Sequence, residues 1–226
     1  LSAAAVGSIN AESWHNAIVY YQKLIIAHPE KQNFQYNLAT AYQQTGKYNE
    51  AIKLLTQLVA TNPKSVAMGQ RLADCYEKTG NIQMAKNTYT NLIRLGKIPA
   101  DVYYRYALLC MKTDDKDKAE TIFKKVIQLD PKNPYAHKDL GVVYLTQRLF
   151  DYAKEEFETA YKMAPEDSAV VFEMANFYHA MNDFQKAKDF YQKAYELSPD
   201  NMDIAVFMAI NYLRLNEIDT ALELFL

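Results

Sequence analysis

Ala17, Ala51, Ala85, Ala119, Ala153, Ala187 and Ala221 stand 34 residues apart from one end of the chain to the other. A helix–turn–helix unit has that length, and a spacing held without a break requires a stack of one supersecondary unit, each copy burying its apolar face against the next. Function in such a stack belongs to the surface created by repetition rather than to a single triad or metal cage. The chain is therefore expected to form one continuous body over residues 1–226, not two ordinary domains.

Composition agrees with a folded, helix-rich chain. Half of the residues are hydrophobic, and six Gly with seven Pro are too few for a linker or a disordered tail. The net charge of −2 and the lack of a Lys/Arg stripe argue against nucleic acid as the main partner. Apolar runs are short, so no transmembrane segment is expected. The chain opens at Leu1 without Met and stops at Leu226 inside a helical pattern, which reads as a fragment of a longer protein. Cys75 and Cys110 fall at positions that a helical reading buries. Two inert core thiols are expected over a disulfide, and with them a reducing, cytoplasmic setting.

Aligning the chain on the alanines brings out further columns. Ala39, Ala73, Ala107, Gly141, Ala175 and Ala209 lie twelve places before the alanines, and the two small columns mark where antiparallel helices cross closely. Tyr42, Tyr76, Tyr144, Tyr178 and Tyr212 make one aromatic column, with Cys110 replacing Tyr in the fourth repeat. Tyr21, Tyr89, Phe123, Phe157, Tyr191 and Phe225 make another, with Leu55 as its aliphatic member. Their helical register assigns most of these rings to the core rather than to base stacking or sugar binding. Gly46, Gly80, Asp114, Asn182 and Asn216 suit a left-handed turn between the two helices of each unit, Arg148 being the exception. Pro29, Pro63, Pro131, Pro165 and Pro199 close the second helices. In the third unit Lys97 takes that place and Pro99 follows, which predicts a locally altered turn at 96–99 and not a domain boundary.

These columns resemble the tetratricopeptide repeat family, and Leu140-Gly141, Tyr144, Phe150, Ala153, Phe157, Ala160 and Pro165 form the cleanest copy of its pattern. The resemblance implies an all-α, right-handed superhelical solenoid of antiparallel helix pairs, about six and a half repeats long. A partial unit at 1–31 would precede full units at 32–65, 66–99, 100–133, 134–167 and 168–201, with a truncated unit at 202–226. Residues 1–9 are expected to make a poor first helix, and Phe225 and Leu226 to end the last helix on an uncapped apolar face suited to homo-oligomer contact.

The resemblance also implies that first helices line a concave groove that holds a partner protein or peptide. Its candidate residues are Asn37, Arg71, Tyr104, Arg105, Leu108, Met111, Tyr135, Lys138, Val142, Leu145, Phe172, Val206 and Ile210. The groove is polar at Asn33, Tyr36, Thr40 and Gln43, and becomes apolar from Tyr104 to Leu213, which fits an amphipathic or hydrophobic segment. One column, Asn37, Arg71, Arg105, Asp139, Glu173 and Phe207, changes sign midway. Arg71 and Arg105, with Lys112 and Lys138 nearby, would hold a partner carboxylate or phosphate, or else Arg105 pairs with Asp139 and Arg71 with Asp74 or Asp101. The Lys/Asn set with which chaperone-binding members grip a terminal carboxylate is not supplied by three consecutive units, and Asp101 stands where a Lys is needed.

Chemistry finds no foothold in the motifs. His15, His28, His137 and His179 are scattered and expected on the surface or in the groove; Glu155 and Glu156 read as a solvated helix face. Neither a Gly-rich phosphate loop nor a nucleophile elbow is present. The expectation is a scaffold without catalytic residues, metal or cofactor. A targeting or regulatory arm of a larger enzyme or secretion machine, and a self-associating structural array, are the alternatives.

Overall fold

The computed structural model describes residues 11–224; the expected poor helix at 1–9 and the end at Phe225 and Leu226 lie outside them. Among the described residues every regular element is an α-helix, and consecutive helices pack as pairs. The chain forms two compact units, Leu1–Val102 and Tyr103–Leu226.

The first unit contains α1 (Ala11–Ala27), α2 (Gln32–Gln44), α3 (Tyr48–Thr61), α4 (Val66–Lys78) and α5 (Ile82–Arg94). The division falls inside α6 (Ala100–Lys112). The second unit goes on with α7 (Lys116–Leu129), α8 (Pro134–Thr146), α9 (Phe150–Met163), α10 (Ser168–Ala180), α11 (Phe184–Leu197), α12 (Met202–Arg214) and α13 (Ile218–Glu223).

Each boundary has a local cause that recurs with the period. Ser65, Asn133, Asp167 and Asn201 cap α4, α8, α10 and α12, their side-chain oxygens accepting from backbone N–H groups of the first turn. Pro99 holds the same register place before α6 and has no side-chain acceptor to offer. The altered turn expected there is present: α5 runs into Leu95 and a left-handed Gly96 with φ 94°, and the chain reaches α6 without the cap used elsewhere. Pro63, Pro131, Pro165 and Pro199 each follow two residues after a second helix ends.

Between the helices of each pair, Gly46, Gly80, Asp114, Asn182 and Asn216 take φ of 55° to 76° as expected. Arg148 does so too, at 62°, although its side chain disfavours that region. The reason is a shared hydrogen bond. The next residue's N–H reaches back to the carbonyl of the tyrosine column, as in Lys47 to Tyr42 at 2.8 Å, Leu149 to Tyr144 at 2.9 Å and Glu217 to Tyr212 at 2.9 Å. That closure needs a left-handed residue whatever its identity.

The small columns are buried: Ala51, Ala85, Ala119, Ala153 and Ala187 are inaccessible, as are Ala39, Ala73, Ala107 and Ala175. Gly141 shows how tight the crossing is, since a Cβ there would meet the Phe157 ring at 2.8 Å. Tyr89, Phe123, Phe157 and Tyr191 fill the space beside the alanines, while Tyr42 and Tyr178 of the other column are only half-buried. Cys75 and Cys110 are free and buried, and burial pushes the Cys75 thiol up to about 11, which keeps it in the thiol form at neutral pH.

Candidate functional site

The first helices of successive pairs meet through a fixed register. Tyr36 on α2 accepts from Arg71 Nε on α4 at 3.2 Å and lies under its guanidinium, 5.2 Å from ring centre to Arg71 Cζ. In the second unit Tyr104 on α6 donates to Asp139 on α8 at 2.7 Å, and Phe172 on α10 packs edge-on against Phe207 on α12 at 5.5 Å. Each pair is 35 residues apart. Lys138 and Glu173 share the spacing, and Lys138 lies near enough to favour the charged form of Glu173. Four members of the column whose charge flips along the sequence are thus matched with the preceding helix: Arg71 on a ring, Asp139 on a phenol, Glu173 beside a lysine, and Phe207 ring on ring.

Asp139, expected opposite Arg105, takes Tyr104 on one oxygen and Lys138 Nζ on the other at 2.5 Å. It is buried, not a solvent-facing groove residue, because those two donors replace its hydration. Burial raises the Tyr104 hydroxyl well above the usual phenol range, with the Asp139 charge adding to the effect. Arg71 donates to Gln43 as well, at 2.5 Å, and Gln70 donates to Asp101 at 2.9 Å.

A second register explains where the first helices turn apolar. Tyr89 donates to Asp74 at 3.1 Å and Tyr191 to Asn176 at 2.7 Å, both across 15 residues within one pair. Where the ring beneath is Phe123 or Phe157 and has no hydroxyl, the residue 15 places earlier is Leu108 or Val142. A buried phenol needs a partner, and a phenyl ring does not. At these four positions the character of the first helix follows the core under it, whereas Thr40 stays polar above aliphatic Leu55. Sequence reasoning missed this coupling although both columns, and their spacing, stand in the sequence.

The candidate groove residues are distributed as follows. Asn37 and Arg71 are half-buried in the first unit. In the second, Tyr104 and Met111 are half-buried on α6, where Arg105 and Leu108 are exposed. On α8, Tyr135 is exposed and donates to Asp167 at 2.6 Å, while Lys138, Val142 and Leu145 are half-buried. Phe172 is half-buried on α10 between Tyr191 and Phe207. On α12, Val206 is 38% and Ile210 40% exposed, joined by Phe207 at 44% and Leu213 at 55%. Side chains 206, 210 and 213 follow helical spacing, so they form one apolar stripe.

Two expectations are overturned by burial. His137 is not on the surface or in the groove: it is buried on α8, its Nδ1 donating to Glu156 on α9 at 2.6 Å. Glu156 is correspondingly no solvated helix face. The Glu156 contact raises the His137 pKa above its usual value against the opposing effect of burial. Nε2 finds no hydrogen bond of standard geometry, the Pro131 carbonyl lying only near enough to favour the protonated ring. His179 is half-buried and donates to Asn211 on α12 at 3.0 Å.

The first unit also holds an open cavity of about 530 Å³ between α1, α2 and α3, walled by Ile25, Ile26, Leu38, Tyr42 and Leu54 with Glu50 and Lys53 at its rim. Nothing in the repeat pattern marks it. Among the described residues no group of three or more His, Cys, Asp or Glu is arranged to hold a metal ion, and no helix is long and apolar enough to cross a membrane.

Residues 70–199, more than half of the chain, match the model described as the middle TPR-like domain of cilia and flagella-associated protein 70. The chain belongs to the tetratricopeptide repeat (TPR) family. A general TPR model matches residues 9–71 and 178–226. No curated protein matches the sequence. Among solved structures, a TPR protein from Parabacteroides merdae is similar with a TM-score of 0.80 at 19% identity, covering 95% of this chain and 85% of that one. YrrB, described as a TPR protein with an unusual peptide-binding site, gives 0.65 at 16% identity, covering 81% and 95%. The Cut9–Hcn1 hetero-tetramer of the APC/C gives 0.70 at 18% identity, covering 92% of this chain and 41% of that one. At these identities the likeness shows the TPR fold.

Proposed function

We propose that this TPR chain is a non-enzymatic scaffold that binds a peptide or helix of a partner protein along the first helices of its second unit, between residues 104 and 213. The observation that carries the reading is the exposure of Leu108, Val206, Ile210 and Leu213 on first helices whose polar side chains are in part engaged with one another, Tyr104 with Asp139 and His179 with Asn211. Exposed apolar area on such helices gains most from a partner that brings its own apolar side chains. YrrB, whose description names a peptide-binding site, supports the same use of the fold.

The test is selection of a randomised 12-residue peptide library on the intact chain, followed by titration of the enriched peptides. Leu108→Ser together with Ile210→Ser should weaken them by at least about tenfold, the loss of two apolar anchors, with helical circular dichroism unchanged. Equal affinity for the double variant defeats the groove assignment. A second reading, self-association through α12 and α13, is favoured by exposed Leu213, Ile218 and Leu222. Light scattering over a concentration series separates it from the first.

A further inference from the structure

The polar network beneath this apolar face is short of one positive charge. Asp139 and Glu173 sit on adjacent first helices, and Lys138 is the cation between them: it bonds Asp139 and lies beside Glu173. The Lys138 side chain is 15% exposed and that of Asp139 7%. Among the described residues Glu173 takes its one hydrogen bond from Asn176, whose Nδ2 donates at 3.1 Å while its Oδ1 accepts from Tyr191. Tyr104 contributes a neutral hydroxyl to Asp139, so two carboxylates share one ammonium in a largely dehydrated place.

Dehydration makes such an imbalance consequential. Burial drives the Glu173 pKa upward, Lys138 opposes the rise, and Asp139 reinforces it. Folding of the chain by itself thus leaves Glu173 with a carboxylate that its surroundings poorly support. A cation arriving from outside would complete the set, and the exposed side chains of the next first helix are apolar: Phe207 on α12, packed on Phe172 beside Glu173 in sequence, and on the same helix Val206 and Ile210.

We infer that the occupant of this face is a partner segment in which one Lys or Arg is flanked by apolar residues, the cation seating on Glu173 and the apolar side chains covering Val206, Phe207 and Ile210. The inference rests on the groove reading above and gives it a chemistry. A net-negative, low-dielectric seat discriminates against acidic segments by like-charge repulsion and against purely apolar ones by leaving Glu173 covered and unpaired. The partner is therefore neither an acidic tail nor a featureless hydrophobic helix.

The experiment uses the peptides enriched from the random library on the intact chain, resynthesised with the basic residue as Lys or as acetyl-lysine. Enriched sequences should carry a Lys or Arg between apolar residues, acetylation should weaken them about tenfold as expected for one charge-assisted contact, and Glu173→Gln should erase the difference between the two forms. Glu173→Gln should also leave the thermal midpoint unchanged or higher, because the carboxylate is in excess; a clear fall would make Glu173 a structural partner of Lys138 and overturn the inference. Peptides that lack a basic residue, or that bind equally after acetylation, yet weaken in the Leu108→Ser, Ile210→Ser variant overturn the cation seat and leave the groove standing. Failure to enrich any peptide, or peptides indifferent to that variant, overturns both.

Discussion

Tyr104 reaches across 35 residues to place its hydroxyl 2.7 Å from Asp139, and in doing so it turns a carboxylate that the repeat pattern aims at solvent into part of the packing between two first helices. The same spacing carries Tyr36 to Arg71 and Phe172 to Phe207, so unlike chemistries solve one geometric problem. Tyr104→Phe removes the donor and leaves Lys138 as the remaining contact of a buried aspartate. The expected loss is about 1–3 kcal/mol, read as a lower urea midpoint at constant m-value. Tyr104→Phe combined with Asp139→Leu should regain much of it, since removing both polar partners avoids the orphaned charge.

Tyr191 and Asn176 offer a sharper test of matching within one pair. Tyr191→Phe alone strands Asn176, and Asn176→Leu alone strands a buried phenol. The double variant reproduces the Phe123 with Leu108 combination that the chain already uses. A double-mutant cycle by chemical denaturation should show a coupling of about 1 kcal/mol or more; additive losses would mean that the hydrogen bond contributes nothing specific.

Arg148 is the one place where the pair turn takes an ill-suited residue, at φ 62°. Gly46 and Gly80 hold the equivalent positions elsewhere. Arg148→Gly is expected to stabilise the chain by up to about 1 kcal/mol, the relief of a left-handed residue with a Cβ. A rise in melting temperature checks this, whereas a fall would show that the arginine side chain contributes more than its backbone strain costs.

His137 and Glu156 predict a pH dependence. The folded-state pKa of His137 is raised above its ordinary 6.5, so the stabilisation is fully present below about 6.5 and is lost as pH rises through the higher folded value. Thermal melts from pH 5.5 to 8.5 should show the wild type losing more stability across that window than Glu156→Gln. Identical slopes for the two proteins would remove the pair from the account.

Much of this molecule is legible before any coordinate. The alanine and small-residue columns locate the helix crossings because helix period and chain length leave a repeated close contact one solution. Pro99, standing where Ser65, Asn133 and Asp167 act as caps, announces the altered turn after α5. Even the polarity of the first helices at Asp74 and Leu108 was available, in the pairing of Tyr89 with Asp74 and Phe123 with Leu108, though it shows only when two columns are read against each other.

What the sequence could not disclose is which of its charges are partnered within the fold. Asp139, Glu173, His137 and Glu156 carry the same formal charges and helical phases whether they face water or each other, and side-chain direction between helices is not a property of spacing. The tertiary structure decides it by distance and dehydration: it buries Asp139 between a phenol and a lysine, closes His137 onto Glu156, and leaves Glu173 without a full complement. Sequence by itself determined the repeat, its turns and its small-residue crossings, because those depend on local geometry; the allocation of charge depends on which helix lies opposite, and that exists only once the pairs are stacked.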